Sequence, residues 1–219
     1  MAQANIFLKT AVAGVLICII GLSGTGGLAV AASLQTPAIT VYQGQGVDAN
    51  FIDLLPNMVT NDLRFEGSYF IALGYYHPLT TPLALLSVFD FLHIPGTETG
   101  VEFIAAKHHG LQHNGEADVA YSFRFQKIQF SDLTVRFGMG LGLSYALGRP
   151  TYEDGSREDP DKRYRFQHYG AYELAWGVAS APRFTLVTRI HHRSGVYGLI
   201  APRHVGSNFL TLGLRYAFF

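Results

Sequence analysis

Residues 131–146 read SDLTVRFGMGLGLSYA, and their alternation decides the fold class. Leu133, Val135, Phe137, Met139, Leu141, Leu143 and Tyr145 fall on one face of a period-two pattern. Asp132, Thr134, Arg136, Gly138, Gly140, Gly142 and Ser144 fall on the other. An unbroken alternation of this length is a β-strand with lipid or core on one side. Three of the seven polar-face residues are glycine and one is serine, a small face that suits a crowded lumen.

Working outward, the same test predicts seven more strands, at residues 61–77, 83–94, 98–109, 115–125, 163–178, 183–194 and 208–218. Segment 83–94 is nearly all apolar and equally compatible with a helix. The total of eight is even, as bacterial membrane barrels require. Short links at Pro95-Gly96, near Gln129 and at Ala181-Pro182 alternate with longer ones, notably the charged loop 147–162, LGRPTYEDGSREDPDK. That asymmetry predicts periplasmic turns and outer loops, and the charged loop reads as solvated surface. At the C-terminus Leu210, Leu212, Leu214, Tyr216 and Phe218 share a face. Thr211-x-Gly213-x-x-Tyr216-x-Phe218 resembles the terminal signature by which outer-membrane proteins reach the barrel assembly machinery. A soluble edge strand ending in four such residues would be an aggregation hazard.

Composition agrees. The 219 residues carry 16 basic and 16 acidic side chains, a net charge of zero, which removes the electrostatic footprint of a nucleic-acid binder. Mean hydropathy of +0.17 is too low for a bundle of membrane helices, whereas 16 Phe, 12 Tyr and 24 Gly suit β-structure and turns. In residues 1–32, Lys9 is the only charge, an apolar run follows from Ala11, and Ala29-Val30-Ala31 offers a small-x-small site. This predicts a cleaved secretory signal peptide. The only cysteine, Cys18, lies inside it, so the mature chain must hold together without disulfides. The expected organisation is a signal peptide at 1–32, an N-terminal periplasmic or plug segment at 33–60, and an all-β, eight-stranded antiparallel transmembrane β-barrel at 61–219.

Segment 183–194, RFTLVTRIHHRS, carries the chemistry. Phe184, Leu186, Thr188, Ile190, His192 and Ser194 share the apolar face. Positions i and i+2 on a strand stand roughly 6.6 Å apart, close enough for an imidazole to reach a hydroxyl. His192 taking the proton of Ser194 would create a nucleophile at the outer-leaflet end of the strand. The bland reading is a polar pair marking the water interface. The remaining histidines predict no metal site, since His108 and His109 point apart, and no cofactor motif is present.

The stretch RIHHRSGVYGLI followed by GSNFLTLGLRYAF resembles the lipid A 3-O-deacylase family of outer-membrane barrels and its acyloxyacyl-hydrolase-like relatives. The similarity is strongest over residues 183–218. It implies an eight-stranded barrel in the bacterial outer membrane with lipid A as substrate, His192 as general base and Ser194 as nucleophile. The family's triad acid lies on the following strand. This chain has no Asp or Glu after Glu173, and Asn208 is the outward-facing residue of that region. The family's Asn after the nucleophile is Gly195 here, so an oxyanion hole would rest on backbone N–H groups of the Gly195 loop. The competing expectation is a noncatalytic barrel with an envelope-integrity or surface-interaction role.

Overall fold

The computed structural model describes residues 36–94, 96–153 and 163–218. The signal peptide expected at 1–32 lies outside the described residues. Nine strands form one antiparallel sheet: β1 Ala38–Val47, β2 Phe65–Leu79, β3 Glu98–Gly110, β4 Gly115–Arg124, β5 Ile128–Phe130, β6 Leu133–Leu147, β7 Phe166–Val178, β8 Phe184–Ser194 and β9 Gly206–Ala217. Pairing of β4 with β6 and of β1 with β9 closes the eight long strands into a ring, and β5 is a three-residue flap on β6. Closure leaves none of the eight with an unpaired edge, the condition for placing backbone amides in hydrocarbon. Helix α1 (Leu54–Thr60) lies in the β1–β2 connection and α2 (Leu83–Phe91) in the β2–β3 connection.

Two faces follow from the period-two alternation. Outward, Val41, Ile71, Leu73, Phe103, Leu141, Leu186 and Leu214 are exposed around the ring, the apolar belt that a bilayer demands. Inward, the glycines make room for larger partners. A Cβ on Gly138 would stand 2.9 Å from Glu173 Cγ, and one on Gly213 would stand 2.5 Å from the Tyr42 ring. Among the described residues no helix is long and apolar enough to cross a membrane.

Two sequence expectations need correction. Residues 33–60 are not a separate periplasmic or plug segment: 38–47 is the first barrel strand, hydrogen-bonded to β2 and β9. Its outward face carries Ile39 and Val41 but then Gln43 and Gln45, and Gln45 Nε2 donates to the Glu66 carbonyl at 3.0 Å. Those two glutamines break the apolar alternation that identified the other strands. Residues 83–94 are not a strand, since 83–91 is α2. A run of Leu, Ala, Leu, Leu lacks period-two contrast and is rich in helix formers. The two differences offset, which leaves the count of eight intact.

The barrel's lower end holds the start of β1, the end of β9 and the β7–β8 turn, and its upper end holds the β6–β7 and β8–β9 connections. Seven charged side chains pair across the lumen in two groups. In the lower one Arg189 Nη2 lies 2.9 Å from Glu102 and 2.5 Å from Glu173, and Arg215 Nη2 lies 2.8 Å from Glu173. In the upper one Arg193 reaches Glu116 at 3.3 Å and also pairs with Glu153. Glu153 belongs to the loop that the sequence reads as solvated surface, yet it is buried against Arg193, Gln167 and Ser207. Residues 154–162 of that loop lie outside the described residues.

Candidate active site on the outer face

Strand parity places His192 and Ser194 together on the outward face of β8, while His191 and Arg193 point into the lumen and are buried. Asn208 on β9 is the direct cross-strand neighbour of His192. Its Oδ1 sits 2.7 Å from His192 Nδ1, and its Nδ2 donates to the Ala49 carbonyl at 2.8 Å. These two bonds fix the protons. The carbonyl of Ala49 accepts only, so the amide nitrogen must face it, and Oδ1 is left toward the imidazole. His192 therefore carries its hydrogen on Nδ1 and presents an unprotonated Nε2, the tautomer a general base needs.

The three residues singled out from sequence are thus brought to one face, but His192 and Ser194 are not hydrogen-bonded to each other among the described residues. Ser194 instead faces His168 across the β7–β8 ladder. Directly opposed side chains have Cβ atoms ~4.5–5.5 Å apart, nearer than i and i+2 on one strand. The Nδ1 of His168 is buried without a hydrogen-bond partner. Gly170 lies between the two imidazoles: a Cβ there would stand 3.5 Å from His168 and 3.5 Å from His192. Its missing side chain leaves a shallow floor flanked by two histidines.

The β1–β2 connection covers this face. Val47, Leu54 and Leu210 are buried together, with Ala49, Phe51, Met58, Leu63 and Ile190 packed against them. The Phe51 ring lies 4.6 Å from the His192 ring and 5.0 Å from Tyr172, centroid to centroid. Neither Phe51 nor His168 was identifiable as a site residue from sequence, because contacts across the sheet depend on register and loop path. The outward parity of His168 was the one available signal.

Beyond Ser194 the chain turns sharply. Gly195 N–H donates to the Val205 carbonyl at 3.2 Å, so that amide is already occupied. Val196 and Tyr197 open the following 3-10 turn with φ of 50° and 53°, a region that a β-branched residue such as valine seldom enters. As first-turn amides, their N–H groups have no partner within the turn. Any oxyanion donors of the Gly195 loop are therefore Val196 and Tyr197.

The lumen also brings together a group the sequence did not suggest. Glu116, Asp118 and His191 each offer one ligand atom within 4.8 Å of the others. His191 Nε2 lies 2.6 Å from Glu116, and His108 Nε2 lies 3.2 Å from the same carboxylate. With Arg193 as a third partner, Glu116 is fully engaged, and the group behaves as an ion-pair core.

No family model matches the sequence, and no curated protein matches it. Solved structures do match. The outer membrane enzyme PagL superposes with a TM-score of 0.52 at 8% identity, covering 82% of this chain and 99% of its own. The N-terminal β-barrel domain of Pseudomonas aeruginosa OprF gives a TM-score of 0.43 at 10% identity, over 84% of this chain and 98% of its own. Neisserial surface protein A gives 0.44 at 12% identity, over 83% and 97%. At these identities the likeness concerns the fold, an eight-stranded barrel.

Proposed function

We propose that this chain is an outer-membrane serine esterase that hydrolyses an ester-linked acyl chain of lipid A. The observation that carries the reading is the chain of hydrogen bonds Ala49–Asn208–His192, which holds the imidazole on the lipid-facing side with Nε2 free. In the reaction His192 Nε2 removes the proton of Ser194 Oγ, and the oxygen attacks the ester carbonyl. The amides of Val196 and Tyr197 receive the developing oxyanion. Collapse breaks the bond to the sugar oxygen, which takes the proton back from His192. Water, deprotonated by the same nitrogen, then releases the fatty acid and restores Ser194. Asn208 acts as the orienting residue, an arrangement also used with cysteine nucleophiles. Ser194 must swing toward His192 for the first step, as catalytic contacts often tighten only with substrate bound. Outer-membrane placement, with the lower end periplasmic, rests on the exposed apolar belt and on the terminal aromatics of β9.

Two observations favour a second reading, a noncatalytic barrel with an envelope-integrity or surface-interaction role. Phe51 covers the His192 ring, and the residue bonded to its Nδ1 is the amide Asn208 and not a carboxylate. Incubation of the purified, refolded protein with authentic outer-membrane lipid A, followed by mass spectrometry, separates the two. The esterase releases a fatty acid, and Ser194→Ala and His192→Ala each abolish release, with no further loss in the double variant. Equal release by wild type and Ser194→Ala eliminates the serine mechanism, whereas no release by wild type establishes the noncatalytic reading.

A further inference from the structure

At the lower end, away from the esterase face, a cavity of about 330 Å³ opens into the lumen. Its lining includes four cations, Arg124, Lys127, Arg136 and Arg215, and one carboxylate, Glu98. Glu98 is already engaged: Arg136 Nη1 and Nη2 donate to its two oxygens at 2.7 and 3.0 Å. Arg215 is held by Glu173, by Thr40 Oγ1 at 3.2 Å and by the Tyr42 hydroxyl at 3.4 Å. Arg124 has none of this. It is 8% exposed, its guanidinium lies 3.3 Å over the Tyr76 ring centroid, and among the described residues none accepts a hydrogen bond from it, although the Glu173 and Glu102 carboxylates attract it at longer range. Lys127, three residues further along on the same cavity wall, is exposed, and among the described residues no carboxylate lies within ion-pair distance of it.

A buried guanidinium without a hydrogen-bond acceptor is costly, and charges at longer range offset only part of that cost. Stacking on an aromatic face covers the plane of the group and leaves its N–H edges free, the presentation that receives an oxyanion bidentately. We infer that the lower mouth of the barrel binds a phosphate-bearing ligand through Arg124 and Lys127, with Arg136 and Arg215 completing the positive wall. The volume exceeds that of a bare phosphate ion and falls at the small end of ligand pockets, leaving room for the organic part of a phosphate ester. That group arrives either on a soluble phosphate or on a phospholipid headgroup from the adjoining leaflet, since Val178, Pro182 and Phe184 on the cavity wall bring apolar surface to its edge. The inference does not depend on the esterase reading.

Calorimetric titration of the full refolded chain in nonionic detergent, with inorganic phosphate as the probe, tests it. Saturable binding is expected, weakened about tenfold or more by Arg124→Gln and several-fold by Lys127→Gln. Arg64→Gln, an exposed change at the other end, leaves it unaltered. Repeating the titration in micelles doped with phosphatidylglycerol identifies the source. Loss of phosphate binding assigns the site to a headgroup, and undiminished binding assigns it to a soluble phosphate. No saturable binding, affinity unchanged in both variants, or acetate binding as tightly as phosphate overturns the proposal. If heat-modifiable migration reports that Arg124→Gln does not fold, the exposed Lys127→Gln decides alone.

Discussion

His191 and His192 are consecutive, and the two regions they enter could hardly differ more. His191, 2% exposed, is bonded to Glu116 and ringed by Phe70, Tyr169 and Phe209. His192 has one polar partner, Asn208, and one aromatic cover, Phe51. The lumen is over-determined: Glu116, Glu153 and Glu173 each meet at least two donors, so any single member is held by several others. The outer face is held by one hydrogen-bonded chain and one loop. Strand parity thus lets a single strand, β8, support folding with its odd positions and carry the candidate site on its even ones.

That contrast is most sharply broken at Glu173. Glu173→Ala leaves Arg189 with Glu102 alone and Arg215 with no carboxylate, and removing one partner of a buried pair costs about 3–5 kcal/mol. Urea unfolding of the refolded protein in detergent reads the loss; a cost under about 1 kcal/mol would mean that water, not the carboxylate, satisfies the lumen arginines. Next comes the histidine pair itself. His191→Ala orphans part of Glu116 and opens a void, an expected loss of about 2–3 kcal/mol, whereas His192→Ala stays within about 1 kcal/mol. Equal losses would erase the distinction between the two faces.

Two smaller effects sharpen the outer region. Asn208→Asp places a carboxylate behind His192, which favours the imidazolium formed during proton transfer and raises acyl release if the esterase reading holds. The same change removes the donor to Ala49 and sets two oxygens against each other, so the β1–β2 connection loosens by about 1 kcal/mol. Trypsin cleavage after Arg64 then accelerates. Phe51→Ala gives a similar acceleration through lost packing on His192 and Tyr172, and leaves urea stability of the barrel within about 1 kcal/mol. Unchanged cleavage in both variants would separate the connection from the site.

The strands were legible in the sequence where a lipid face meets a small polar face, as in β6. They were hidden where that contrast fails: β1 turns Gln43 and Gln45 outward, and α2 is apolar except at Ser87 and Asp90. His192, Ser194 and Asn208 could be placed on one side by parity alone, which needs only a position along one strand. His168 could not be set opposite Ser194, nor Phe51 upon His192, because register and loop path arise from the whole ring. Glu153 misled for a related reason: in a loop half composed of charges, nothing local marks the one carboxylate that turns inward to Arg193.

The packed lumen has a kinetic consequence. Tyr169, Arg193, Glu116 and Phe209 fill the cross-section with side chains at most 1% exposed, so a molecule does not reach the outer face of β8 through the barrel. On the esterase reading, a lipid substrate arrives sideways, by diffusion in the plane of the membrane, and its encounters with His192 and Ser194 are governed by its mole fraction in the leaflet and not by its bulk concentration. Adding inert detergent at constant total lipid dilutes that surface and slows any encounter in proportion.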